Sequence, residues 1–273
     1  MHVESAGQGS PVWRVTLMSD RSPAEDNPMS LAPLPGPKAL TLAALTELEA
    51  LLRGADADPH CRVLVLGSEG TEFCRGMDLH GLARGVPYDA AIAAYARCLW
   101  LLRTIRPATV CVIESAATGG GVGLVAACDL VIASRGATFV LPELLLGLLP
   151  AALLPVLCER VGSGRARRLC LTGEVLHGAE AAQLGLVDQC VDDSQLALAT
   201  ILKHLLRISP VAVGRLKRHL GEIEGMPLEA ALTAGAARTT ADLQDPGVAA
   251  AIAGFVAGEL PPWSIRYRVG GHS

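Results

Sequence analysis

The chain has 273 residues, enough for a full hydrophobic core; 51% are apolar but only 3% aromatic, so Ala, Leu and Val must build that core. Its net charge of −4 argues against nucleic acid as a bulk partner, since neutralising phosphates needs a basic face. Eight cysteines lie mostly in apolar runs with no C-x-x-C pair, which argues against a disulfide or zinc framework and for reduced core thiols in a cytoplasmic protein.

Met1 to Val15 shows no basic segment followed by an apolar one, so no signal peptide is expected. Val12 to Met18 alternates as a strand, a turn follows at Asp20-Arg21-Ser22-Pro23, and the proline-rich stretch Pro28 to Pro37 reads as an irregular loop. Leu40 to Leu52 has helical periodicity, with Leu42, Leu45, Leu48, Leu51 and Leu52 apolar. Arg62 to Gly67, Thr109 to Ile113 and Leu130 to Ala133 are continuous apolar runs, as expected of parallel strands covered on both faces. Asp89 to Thr104 reads as a helix between the first two.

Phe139 to Cys158 is long enough to span a bilayer, but Pro142, Pro150, Pro155 and Glu143 are unwelcome in a lipid-facing helix. Pocket wall or buried core is the expected use, with no membrane partner. Beyond Gln195 the pattern is helical: Leu196 to Arg207, Val211 to Glu222, Leu228 to Leu243 and Gly247 to Ala257, with Pro210, Pro227 and Pro246 at or before helix starts. The expected fold class is α/β, with a core over residues 1–195 and a helical C-terminal region over 196–273.

Two features carry chemistry. In Ala117-Thr118-Gly119-Gly120-Gly121-Val122-Gly123, three glycines precede an apolar helical run and leave bare backbone N–H groups at a helix start. Glu143 is a lone acid within Phe139 to Leu146, and an acid in apolar surroundings must be compensated or functional. Together they point to proton movement beside a carbonyl whose oxygen is held by backbone donors. The glycine spacing does not match the dinucleotide fingerprint, because Leu124 stands at the third glycine position.

Glu72-Phe73-Cys74-Arg75-Gly76-Met77-Asp78-Leu79, the triple glycine, Ala127 to Ala133, the P-E-x-x-x-G pattern ending at Gly147, and Leu171-Thr172-Gly173 through Gly185-Leu186-Val187 occur in an order that resembles the crotonase (enoyl-CoA hydratase/isomerase) superfamily. The resemblance implies a ββα-type spiral core and a helical C-terminal region that packs across subunits or forms a lid, in a homotrimer or hexamer. It implies that the backbone N–H groups of Met77 and Gly120 form an oxyanion hole for an acyl thioester. No metal is implied, and no cofactor beyond the phosphopantetheine of a carrier protein or CoA that bears the substrate.

Hydratases of this family hold water between two glutamates. Here the first position is Gly123 and the second is Glu143, so one carboxylate must serve as acid and base. Asp78 and His80 are supporting candidates beside Met77: Asp78 as the cap of the next turn, His80 facing solvent or the pocket rim. The Pro142–Pro155 segment lacks the usual glycine-rich continuation after its second proline. With Gly123 and Phe73 to Asp78 it resembles the dehydratases of polyketide β-branching, which convert 3-hydroxy-3-methylglutaryl-acyl carrier protein to the 3-methylglutaconyl thioester. That activity is the expectation. The alternatives are an enoyl-CoA hydratase or Δ3-Δ2 enoyl-CoA isomerase acting on CoA thioesters, and a non-catalytic assembly partner. Arg75, Arg84, Arg103 and Arg106 are candidates for docking an acidic carrier; Arg215, Lys217 and Arg218 read as a solvated helix face.

Overall fold

The computed structural model describes residues 4–5, 10–17, 39–68 and 72–265. The expected turn at Asp20 and the Pro28–Pro37 loop lie outside them. Strands β1 (Glu4–Ser5), β2 (Val12–Leu17) and β3 (Ala39–Leu40) precede helix α1 (Leu42–Ala57). Thr41 starts α1 because its side-chain oxygen accepts the Ala44 N–H, and Leu45, Leu48 and Leu52 form its buried stripe. Then come β4 (Val63–Ser68), β5 (Glu72–Cys74), β6 (Gly76–Met77), the short α2 (Leu79–Ala83) and the long α3 (Asp89–Thr104). The middle of the chain runs β7 (Ala108–Ile113), β8 (Ala116–Thr118), α4 (Gly120–Ala127), β9 (Leu130–Ser134) and β10 (Thr138–Val140), ending in a 3₁₀ turn at Glu143–Leu146.

After that turn follow α5 (Leu154–Val161), α6 (Ser163–Thr172), β11 (Leu176–His177), α7 (Gly178–Leu184) and β12 (Gln189–Val191). Four helices close the chain: α8 (Ser194–Leu205), α9 (Pro210–Ile223), α10 (Leu228–Leu243) and α11 (Pro246–Val256).

The main sheet has the order β1-β2-β4-β7-β9-β12, antiparallel at β1–β2 and parallel from β2 onward. Val63, Val65, Val110, Val112 and Ile132 pack with Leu198, Ile201 and Leu202 of α8 on one face. Leu64, Leu66, Cys111, Ile113, Val131 and Ala133 enter the larger core on the other. Burial on both faces is why these strands are continuously apolar rather than alternating. By its packing α8 belongs to the sheet layer; Asp193 caps it, accepting the Leu196 N–H at 2.9 Å.

A smaller sheet of order β11-β10-β8-β5 and the parallel pair β3–β6 stand beside the main one. These short strands end where α4 and the 3₁₀ turn begin, and so bring together segments distant in sequence.

In the C-terminal region α10 buries none of its residues and α11 only Ala251. Lys217 departs from the sequence expectation: it is buried rather than solvated. Its Nζ donates to Asp129 Oδ2 at 2.7 Å and to the carbonyl oxygens of Leu102 and Pro107 at 3.3 and 3.2 Å. Asp129 also accepts the Thr109 N–H at 2.8 Å, so the pair ties α9 to the end of α3 and the start of β7. No single helix among the described residues is long and apolar enough to cross a membrane.

Candidate active site

Two backbone loops meet first. Gly76 adopts φ +80, and a Cβ there would lie 2.9 Å from the Thr118 carbonyl oxygen and 3.1 Å from the Gly120 nitrogen. Only glycine combines that left-handed backbone with so close an approach. The segment carrying Met77 is thereby laid against the start of α4. Gly120 is the first residue of α4, where a helix supplies no acceptor for its own N–H, so that donor is available to an oxygen in front of it. The Met77 segment is held from both sides. Asp78 Oδ1 accepts the Gly81 N–H at 3.0 Å, capping α2, and the Asp78 carbonyl oxygen accepts the Tyr88 hydroxyl.

Glu143 opens the 3₁₀ turn after β10. Because β10 lies parallel to β8 with Val140 opposite Thr118, the residues just beyond the two strand ends are neighbours. The register is pinned by the Gly119 N–H, which donates to the Val140 carbonyl at 2.8 Å. The Glu143 carboxyl consequently lies against Gly119: a Cβ at 119 would be 2.7 Å from Oε1. Its other oxygen, Oε2, is buried and accepts no hydrogen bond from the protein. Burial pushes the Glu143 carboxyl above its ordinary pKa, opposed weakly by its own backbone N–H. A carboxylate with an unused lone pair and a raised pKa is a competent proton acceptor and, once protonated, a competent donor.

Both features open on one cavity of about 390 Å³. Met77, Gly119, Gly120 and Glu143 line it, with a wall that is mostly apolar and includes Leu82, Ile92, Leu146, Leu149 and Leu153. The Phe139–Cys158 run is therefore largely pocket wall. Among the arginines considered for carrier docking, Arg75 alone lines the cavity, and its Nε donates to Glu72 Oε2 at 2.5 Å. Arg103 pairs with Glu159, and Arg106 spends its guanidinium on the carbonyl oxygens of Asp56, Asp58 and Cys61. Of the two places expected for His80, solvent or pocket rim, it takes the first: it is exposed on α2 and does not line the cavity, because the single turn after Asp78 carries it outward.

Sequence reasoning passed over two residues of the site, Tyr88 and Tyr95. Tyr95 is buried in the cavity wall, and its hydroxyl donates to the Gly120 carbonyl at 2.7 Å. Their one available signal was scarcity, since the chain has three tyrosines in all.

A family model described as enoyl-CoA hydratase/isomerase matches residues 34–264. The chain belongs to the enoyl-CoA hydratase/isomerase family. It is 31% identical to a putative enoyl-CoA hydratase of Thermus thermophilus, over 85% of this chain and 91% of that protein. Bacillaene synthase dehydratase PksH of Bacillus subtilis is 30% identical, over 63% of this chain and 68% of that one. Among solved structures, Pseudomonas aeruginosa AtuE is 31% identical, covers 94% of this chain and 97% of its own, and superposes with a TM-score of 0.81. This membership, with the mixed α/β core and helical C-terminal region, identifies an enzyme of the crotonase fold and of hydro-lyase type.

Proposed function

We propose that this enoyl-CoA hydratase/isomerase family member removes and adds water reversibly across C2 and C3 of an acyl-CoA thioester whose acyl chain is apolar. In the eliminating direction Glu143 takes the proton from C2, and the charge that develops on the thioester oxygen is held by the Met77 and Gly120 N–H groups. The C2=C3 bond then forms as the C3–O bond breaks, and the leaving hydroxide takes the proton from Glu143 to depart as water. Addition is the same path reversed. The observation that carries this reading is the seat of Glu143: a desolvated carboxylate against Gly119, next to the N-terminal N–H of α4, in an apolar cavity.

The same cavity turns the reading away from a hydroxymethylglutaryl substrate. A chain ending in a carboxylate needs a cation or several donors in a desolvated wall. Among the described residues lining the cavity Arg75 is the one cation, and it sits at the exposed edge, paired with Glu72, not in a desolvated wall. The similarity to PksH keeps a second reading in view, dehydration of a 3-hydroxyacyl group on a carrier protein. Competition between crotonyl-CoA and a hydroxymethylglutaryl carrier protein, followed by mass spectrometry, separates the two. Preferred gain of water by crotonyl-CoA supports the CoA reading; preferred loss of water from the carrier thioester supports the other. Calorimetry that detected no thioester binding would leave only a non-catalytic assembly role.

The reading includes a homotrimer or hexamer. Leu228, Leu232, Phe255 and Val256 of α10 and α11 are exposed, an arrangement suited to cover by another subunit. Light scattering tests it. All eight cysteines are free thiols, which supports a reducing compartment such as the cytoplasm.

A further inference from the structure

A Cβ added to Gly123 would collide with the Tyr95 hydroxyl and lie 2.8 Å from Leu153 Cβ. The space a side chain at 123 would need is thus taken by the end of a tyrosine from α3. That hydroxyl donates to the Gly120 carbonyl oxygen at 2.7 Å, and Tyr95 keeps only 6% of its surface exposed. Gly120 has no side chain with which to anchor itself, and its Cα position is already crowded: a Cβ there would meet Leu40 Cδ1 at 2.6 Å and the Tyr95 Cζ and hydroxyl oxygen at 3.5 Å.

We infer that Tyr95 is a positioning residue of this site: from the space left open by Gly123, its hydroxyl fixes the Gly120 peptide and thereby aims the Gly120 N–H at the thioester oxygen. The inference rests on the function proposed above. The geometry gives the reason. Holding the Gly120 carbonyl fixes the peptide that follows Gly120 and with it the Gly120 Cα, to which the nitrogen bearing the N–H is bonded, and a donor is useful only when it is aimed where charge develops. With its proton given to Gly120, the Tyr95 oxygen has only lone pairs left for the cavity. The phenol therefore supplies no proton in the reaction, and Glu143 remains the group that moves them. Burial, with Cys74, Glu143 and Cys98 adding to it, holds the phenol well above its ordinary pKa, so it stays neutral.

Tyr95→Phe keeps the ring and deletes the hydrogen bond, and Gly123→Ala displaces the hydroxyl from the other side. Binding cinnamoyl-CoA to the full chain provides a readout besides turnover, because polarisation of the conjugated thioester carbonyl shifts its absorbance to the red. In Tyr95→Phe we expect a smaller red shift and a kcat for crotonyl-CoA lower on the order of tenfold, with KM within about twofold, since binding is kept and aim is lost. Gly123→Ala should lower kcat at least as far, since its Cβ displaces the hydroxyl and also meets Leu153 Cβ. Circular dichroism identifies variants that fold. A folded Tyr95→Phe with the wild-type red shift and kcat overturns the inference alone. A wild-type chain that neither binds nor turns over these thioesters overturns the proposed function and the inference with it.

Discussion

Glu143 and Gly119 are in contact across the ends of two parallel strands, with Oε1 of the carboxylate 2.7 Å from where a Cβ on Gly119 would stand. The residue that opens the donor helix and the residue that carries the acid therefore share one volume. The Glu143 carboxyl and the start of α4 are fixed relative to each other by the β8–β10 register, not by a flexible loop.

Glu143→Gln keeps the shape and removes the proposed base, so turnover should fall on the order of 10²–10⁴-fold with the circular dichroism spectrum unchanged. Its stability should move the opposite way. The folded-state pKa of Glu143 is raised, so below the ordinary carboxylate value of 4.5 both folded and unfolded chains hold the proton and no penalty exists. As pH rises, the unfolded chain ionises first and the folded protein loses stability until its own higher pKa is passed. Glu143→Gln should therefore melt higher than the wild type at neutral pH, and the gain should vanish on acidification below 4.5. Differential scanning calorimetry at the two pH values checks the sign.

Gly119→Ala places a methyl group against the Glu143 carboxylate and forces an L-residue to φ +54. Such backbone strain costs about 1–3 kcal/mol, and the carboxylate must move as well. Denaturant unfolding should show the first effect, and a kcat loss approaching that of Glu143→Gln the second.

Lys217→Ala removes the nearer cation of Asp129 and leaves it only Arg103, 3.8 Å away, at a site where the lysine side chain is only 4% exposed. Removing one partner of a buried pair costs about 3–5 kcal/mol, so the midpoint of urea unfolding should drop strongly. Replacing both partners with Met and Asn should recover part of it. KM and kcat of the folded fraction should be unchanged, since neither residue lines the catalytic cavity.

Cys61 and Cys98 have thiol pKa values pushed up to about 12, chiefly by burial. The thiolate is the reactive form, so neither should react with iodoacetamide in the native protein at neutral pH. Cys158 and Cys190 are the less buried pair and should take the label first, as peptide mapping by mass spectrometry will report.

The doubly buried strands were legible because continuous apolar runs have few other uses, and α3 and α10 match their expected bounds, Asp89–Thr104 and Leu228–Leu243. The triple glycine and Glu143 stood out because glycine runs and an acid among leucines are locally costly, whereas Met77 and Gly120 were singled out only through the resemblance to the crotonase superfamily. Tyr95 was passed over. Within α3 it reads as one more core residue, and only the tertiary approach of α4 gives its hydroxyl the Gly120 carbonyl, 25 residues away. Lys217 was misread for a similar reason, its partner Asp129 being 88 positions distant.

The central claim is that one carboxylate, Glu143, moves water on and off an apolar acyl-CoA thioester. Its most direct test is mass spectrometry of crotonyl-CoA incubated with the wild-type chain and with Glu143→Gln. The account predicts that the wild type adds the mass of one water while the folded variant adds essentially none. No mass gain with the wild type, or equal gain with both, would contradict it.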